Sequence, residues 1–509
     1  SNFIPGGGIW MNTQRPEWND ANNALVGFGI SVVTLGYIAR YLRFMVKTFG
    51  DQFSTDTLEL SGEVAALLQA QLEVFGIEPK TCLAHERKEM MDRLGKTASA
   101  YRQGLYNGGL SGEKTPVSGA TILSFLTQAL SHTEATLREN KRPDALWHSY
   151  NLLRFVPAGV EVDNLKIMLE GQVSILSSEL LDLDETLELL ANLRESPLYR
   201  PDQDSYVLYP DRHMPGFLEK NSVPRQDAES IPLLKAMLAA GDTRVVTQLP
   251  SGNVAFNGNL HNCKDLEKVL TRTCEIQKSE AEPVLQLFEE TFNHRAFTGR
   301  SGTFFAYEGL GSIYWHMVSK LVLAVQEAHI RFGTTGSAEK LSRLADWYRK
   351  FRNGLGVDKN PSHYGAFPTD AYSHTPAHCG AQQPGMTGQV KEDILIRLAE
   401  LGISIEQGRI CIRPQLLEVD EFLQEPTTYS IPAIGGGTTT LQLEPGTLAF
   451  SYCQVPIIYR KGAKTNAITV YRAGQAPIEQ SGLELPEAIS REIFQRTGHV
   501  TRIEVDLVD

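Results

Sequence analysis

The sequence predicts a mainly α-helical protein that ends in an antiparallel β-rich domain. Two observations carry this. Apolar residues recur at three- and four-residue spacing through the first four-fifths of the 509 residues. From about Ile405 the pattern changes to short alternating or β-branched runs between Gly and Pro turns. The predicted division is residues 1–405 for the helical region, with an irregular insertion at about 196–262, and 406–509 for the β-rich domain.

The helical spacing predicts helices over Ala24–Phe49, Thr57–Phe75, Ala84–Tyr106, Thr121–Glu139, Ile175–Arg194, Ile231–Ala240, Ala281–Thr291, Ser312–Arg331, Ala338–Arg352 and Gln389–Leu401. Long amphipathic helices joined by Gly- and Pro-bearing loops pack as a bundle or as stacked hairpins. The insertion is rich in Pro, Gly, Asn, Asp and Tyr, and its run VVTQLPSGNVAFNG reads as a β-hairpin. A second irregular stretch, 354–385, is dense in His, Pro, Tyr and Gly; long loops of this kind are commonly functional. The runs GRICIRP, TLQLEPG, LAFSYCQVPIIYRKG, NAITVYRAG and HVTRIEVDLVD read as strands, with one helix near Pro486–Arg496.

Composition narrows the function. A net charge of −12 is the wrong sign for a nucleic-acid surface, which needs a basic patch, and it suits a neutral polar ligand. The most apolar stretch, Ala24–Ile38, is shorter than the roughly 20 residues that span a bilayer, so no membrane association is expected. Six scattered cysteines (Cys82, Cys263, Cys274, Cys379, Cys411, Cys453) form no CxxC pair, and no apolar leader is visible, so a cytoplasmic location is expected. His363, His374 and His378 lie near Cys379 without a helical ligand spacing, and no metal is expected.

Three segments have the makings of a sugar site. The first is Glu17-Trp18-Asn19-Asp20-Ala21-Asn22-Asn23, ahead of a long apolar helix. An indole packs on the apolar face of a pyranose, carboxamides bind hydroxyls, and a carboxyl beside an indole is desolvated toward general-acid duty. The same Asp and Asn residues also suit a plain helix cap. The second is Gln382-Gln383-Pro384-Gly385-Met386-Thr387-Gly388, which runs into the helix from Gln389. A turn at a helix N-terminus offers free N–H groups to an anion, or Thr387 is simply the cap. The third is 299–317, where Arg300 is a candidate anion ligand, Glu308 a second carboxylate and His316 a proton donor; a solvated Arg, a helix-start Glu and a core His are the plain alternatives.

Taken together, these residues resemble the cellobiose and chitobiose phosphorylases, inverting enzymes built on an α/α toroid of six helical hairpins. Their motif reads Asp-Trp-Asn-Asp-Gly-Met-Asn, against Glu17–Asn23 here. The resemblance implies that Asp20 is the catalytic acid, that Trp18 contacts sugar and that His316, Thr387 and Gly388 hold phosphate, with inorganic phosphate as co-substrate and no other cofactor. Asn19, Glu308 and Gln383 are further candidate sugar contacts, and Arg300 a further candidate phosphate ligand, on the chemistry of their own segments. A small β-linked oligosaccharide is the implied substrate and a homodimer the implied assembly. The rival is an inverting hydrolase, in which Glu308 would be the base that activates water. A non-catalytic or partner-dependent carbohydrate-binding fragment is the third reading. Two departures stand out. Ala21-Asn22 replaces Gly-Met, and the chain opens at the motif, where family members have a β-sandwich and the first half of the toroid. The expectation is therefore a partial toroid that lacks an N-terminal half.

Overall fold

The computed structural model describes residues 1–12, 25–79, 81–210, 215–273, 276–294, 313–333, 335–355 and 389–508. The chain divides into two compact units, Ser1–Pro384 and Gly385–Asp509.

The first unit opens on a five-stranded antiparallel sheet of β1 (Phe3–Ile4), β2 (Gly8–Trp10), β3 (Gly29–Ser31), β6 (Tyr150–Val156) and β7 (Gly159–Asn164), in that spatial order. β3 runs straight into α1 (Val32–Gln52), and the hydroxyl of Ser31 caps that helix by accepting from Thr34 N at 2.9 Å. A helix was expected from Ala24. It starts eight residues later because Ile30 and the capping Ser31 are extended and pair with Asn151 and Tyr150. Between α1 and α4 (Gly119–Glu139) lies a side branch: β4 (Thr57–Ser61), α2 (Gly62–Phe75), α3 (Ala84–Gly108) and β5 (Lys114–Ser118). The expected helix Thr57–Phe75 loses its first five residues to β4, where Thr-Leu-Glu-Leu-Ser pairs with β5.

The expected helix Ile175–Arg194 is two helices, α5 (Leu169–Ser177) and α6 (Leu183–Glu195). Asp182 makes the break. Its carboxylate accepts from Glu185 N at 2.8 Å while the Glu185 carboxylate accepts from Asp182 N, a reciprocal cap that starts a new helix. After an insertion come α7 (Trp315–Phe332) and α8 (Ala338–Gly354).

Six of these helices form an arc of three antiparallel pairs: α1 with α4, α5 with α6, and α7 with α8. Leu42 of α1 packs with Leu126 and Ala129 of α4, flanked by Ile38, Val46, Phe49, Ile122 and Phe125. Helices α1, α5 and α7 run parallel along one side. Ser174 Oγ, past the middle of α5, donates to Val33 O at the start of α1 at 2.8 Å, and Arg331 at the end of α7 donates to Leu181 O, just after α5, at 2.9 Å.

The insertion folds around its own core of Val223, Leu234, Val246, Phe256, Leu266, Val284 and Phe288. The expected hairpin is present, as Val246–Gln248 paired with Val254–Phe256. Helices Cys263–Lys268 and Lys278–Phe292 close the same core, so it extends past the irregular stretch visible in the sequence.

In the second unit a helix, Gln389–Glu400, precedes the strands. The main sheet has the order Thr447–Tyr452, Val455–Lys461, Val500–Leu507, Ala467–Arg472, Ile478–Ser481. It is mixed, because Val455–Lys461 and Val500–Leu507 pair in parallel while its other pairs are antiparallel. Ile457, Tyr459, Ile468, Val470, Ile503 and Val505 form its core with Ile489 and Ile493 of the helix Glu487–Phe494.

Candidate functional site

The arc gathers the N-terminal ends of α1, α5 and α7. Ser149, fully buried, joins the first two: its carbonyl accepts from Val32 N (2.9 Å) and Val33 N (3.2 Å), and its hydroxyl accepts from Gly171 N (2.8 Å). Two helix starts thus spend their otherwise orphaned N–H groups on one residue. Gln172 fixes the neighbouring backbone, accepting from Trp147 N at 2.9 Å and donating to Trp147 O at 2.8 Å. The third start is tied in through the chain before the insertion: Leu169 N donates to Leu208 O at 3.1 Å, and Val207 bridges Ile313.

Close approach of α1 and α5 depends on Gly36. A Cβ there would lie 2.1 Å from Ser174 Oγ and 3.0 Å from Ser174 O. The helices meet backbone to side chain, and their two N-terminal ends stay together.

Glu170, the second residue of α5, is buried, and its Oε2 accepts from the Tyr150 hydroxyl at 2.7 Å. Its carboxylate sits in the favourable field of a helix N-terminus. One and a half turns into α1, Tyr37 keeps 41% of its surface open. Burial of its hydroxyl, reinforced by the carboxylates of Glu170 and Glu327, pushes the Tyr37 pKa up to about 12. Arg40 grips Glu327 with two hydrogen bonds, at 2.6 and 2.8 Å, and so links α1 to α7. Further along α7, burial lowers the pKa of His329.

Of the residues singled out by sequence, His316 is described: it is the second residue of α7, buried, with its ring 5.2 Å from that of Tyr314. Trp18, Asn19, Asp20, Arg300, Glu308, Gln383, Thr387 and Gly388 lie outside the described residues, as do His363, His374, His378 and Cys379. Described residues beside the first segment and within the third reach the same stretch of chain, 207–209. Leu25, where the chain resumes after residue 24, packs with Tyr150, Leu165, Met168 and Tyr209, and Ile313 bridges Val207 two residues before Tyr209. Among the described residues no group of three or more His, Cys, Asp or Glu is arranged to hold a metal ion, and no helix is long and apolar enough to cross a membrane.

Sequence reasoning passed over Glu170, Tyr150 and Tyr37. The signal for Glu170 was present: a lone carboxylate inside the apolar run IMLEGQVSIL. A buried charge in such a run needs a partner, and Tyr150 supplies one.

Residues 214–295 match the family model described as GH149 phosphorylase insertion domain 2. No curated protein matches the chain. The matched segment is the independently cored insertion, between Tyr209 and Ile313. The match supports a glycoside phosphorylase family, and with it a glycoside-active enzyme.

Proposed function

We propose that the chain carries catalytic residues of an inverting glycoside phosphorylase acting on a small β-linked oligosaccharide. The observation that carries this reading is the match of 214–295 to a phosphorylase insertion domain, set within a helix arc whose parallel helices start together. The arc of three pairs is then half of a six-hairpin toroid. The convergence of Leu25 and Ile313, which border the segments bearing Asp20 and bearing Arg300 and Glu308, supports one shared site.

In this mechanism Asp20 protonates the glycosidic oxygen as the bond from that oxygen to the anomeric carbon breaks. A phosphate oxygen attacks the same carbon from the opposite face. The products are a sugar 1-phosphate of inverted configuration and a shortened acceptor. Trp18, Asn19, Glu308 and Gln383 hold the sugar; Arg300, His316, Thr387 and Gly388 hold phosphate. No carboxylate base is required, since phosphate is itself the nucleophile.

The test is product analysis on β-linked disaccharides with and without inorganic phosphate. Sugar 1-phosphate formed only when phosphate is present is the expected result. Free sugar formed at the same rate in its absence would refute phosphorolysis and assign the chain to the hydrolases. Asp20→Asn should abolish turnover and leave the circular dichroism spectrum unchanged; an active variant removes Asp20 from the mechanism.

A further inference from the structure

Three Asn-Gly pairs occur in the chain: Asn107-Gly108, Asn257-Gly258 and Asn353-Gly354. In such a pair no Cβ shields the glycine nitrogen, so that nitrogen can reach the carboxamide carbon of the preceding asparagine. The fold treats the three differently. Asn257 is fixed at both ends of its carboxamide: Nδ2 donates to Thr243 O at 2.8 Å, and Oδ1 accepts from Asn259 N at 3.0 Å. Gly354 is buried at the packed end of α8, as is Phe351 three residues earlier, and a Cβ on Gly354 would lie 3.0 Å from Asp204 O. Attack by the Gly354 nitrogen would require that packed end to unravel.

Asn107 has neither protection. It is exposed in the last turn of α3, and among the described residues no hydrogen bond holds its carboxamide. Up to Ala98 the helix is anchored, by buried Met91, Leu94 and Ala98 and by Arg87, which donates to Pro5 O at 2.7 Å and Val160 O at 2.9 Å. From Ser99 through Pro116 no residue is buried. Gly104 and Gly108 lower the helix propensity of this end, and a Cβ on either would meet nothing within 4 Å, so neither serves a close approach. The last turn therefore opens at little cost, and opening frees the Gly108 nitrogen for attack. We propose that Asn107 is a self-modification site, converted in the folded protein to aspartate and isoaspartate ahead of Asn257 and Asn353. The Gly108 nitrogen gives its proton to solvent base and bonds to the Asn107 side-chain carbonyl carbon. The bond from that carbon to Nδ2 breaks, and Nδ2 takes a proton from solvent and leaves as ammonia. Water then opens the resulting succinimide at either carbonyl. Both products place a carboxylate in the last turn of a helix, where the dipole disfavours it, and isoaspartate also lengthens the main chain, so the turn does not re-form.

Peptide mapping by mass spectrometry tests it, on the full chain incubated at mildly alkaline pH. The expected result is exchange of the amide NH2 for OH at Asn107, with an isoaspartyl fraction, while Asn257 and Asn353 stay intact. In concentrated urea the three sites should convert at similar rates, since glycine follows each. Gly108→Ala should suppress conversion. Gly104→Ala leaves the reacting pair untouched and strengthens the helix end, so it should slow conversion at Asn107 by up to about fivefold. A Cβ at either glycine meets nothing, so the melting temperature of both variants should not fall. No conversion at Asn107 overturns the proposal, as does conversion of Asn257 or Asn353 at an equal rate in the folded protein. So does a rate at Asn107 that Gly104→Ala leaves unchanged. A preference for Asn107 that persists in urea also overturns it, because the preference would then come from neighbouring sequence and not from the fold. Each readout is independent of turnover and so of the phosphorylase reading.

Discussion

Two glycines of the same helix should respond to alanine in opposite directions. In α1, a Cβ on Gly50 would meet nothing within 4 Å, whereas a Cβ on Gly36 would sit 2.1 Å from Ser174 Oγ and 3.0 Å from Ser174 O. Gly50→Ala therefore keeps the helix-propensity gain, at most about 1 kcal/mol and less this close to the helix end. Gly36→Ala gains the same propensity but must displace Ser174, whose hydroxyl is committed to Val33 O and whose carbonyl belongs to α5. Overpacking of this kind costs about 1–3 kcal/mol, and separating the helices costs more. The net expectation is about 1–2 kcal/mol lost for Gly36→Ala, against a few tenths gained for Gly50→Ala. At about 2 °C per kcal/mol for a large domain, the melting temperatures should order Gly50→Ala above wild type above Gly36→Ala. Ser174→Ala removes the nearer clash and leaves the 3.0 Å one, so the Gly36→Ala/Ser174→Ala pair should recover part of the loss in a double-mutant cycle. Scanning fluorimetry reads the whole series. If Gly36→Ala stabilises as Gly50→Ala does, the close approach of α1 and α5 is not what holds their N-terminal ends together.

Other expectations concern the same end of the arc. Ser149→Ala keeps the carbonyl that serves α1 but strands the buried Gly171 N–H, a loss of about 1–3 kcal/mol measurable by urea unfolding. Tyr37 should ionise late. With its folded pKa raised to about 12 against an ordinary value near 10, its contribution to stability is complete below pH 10 and declines as the pH rises toward 12. The difference in phenolate absorbance between wild type and Tyr37→Phe should then appear only near pH 12, and Glu170→Gln should move it to lower pH. An onset near pH 10 in the wild type would show that neither burial nor the carboxylates of Glu170 and Glu327 act on the Tyr37 hydroxyl.

The sequence by itself determined the parts whose signals are local. Helical spacing located α4, α7 and α8 nearly to the residue, and Gly-bounded β-branched runs located the strands after Ile405. The proline–serine–glycine turn of VVTQLPSGNVAFNG made its hairpin legible, because turn chemistry is written in the turn itself. The choice of His316, Asp20 and Thr387 rested on residue type and neighbours; of these, the described structure contains His316, buried at the start of α7. The break that makes Ile175–Arg194 two helices was local as well, a reciprocal cap between Asp182 and Glu185 that helical spacing alone passes over. Tertiary structure decided the rest. Whether Ile30 and Ser31 are strand or helix depended on Tyr150 and Asn151, some 120 residues away. No periodicity reveals that Ser149 serves two helix starts, that Gly36 admits Ser174, or that the insertion's last helices share a core with its hairpin. Those facts belong to pairs of surfaces brought together by the fold, and a sequence records each surface without recording what it will face.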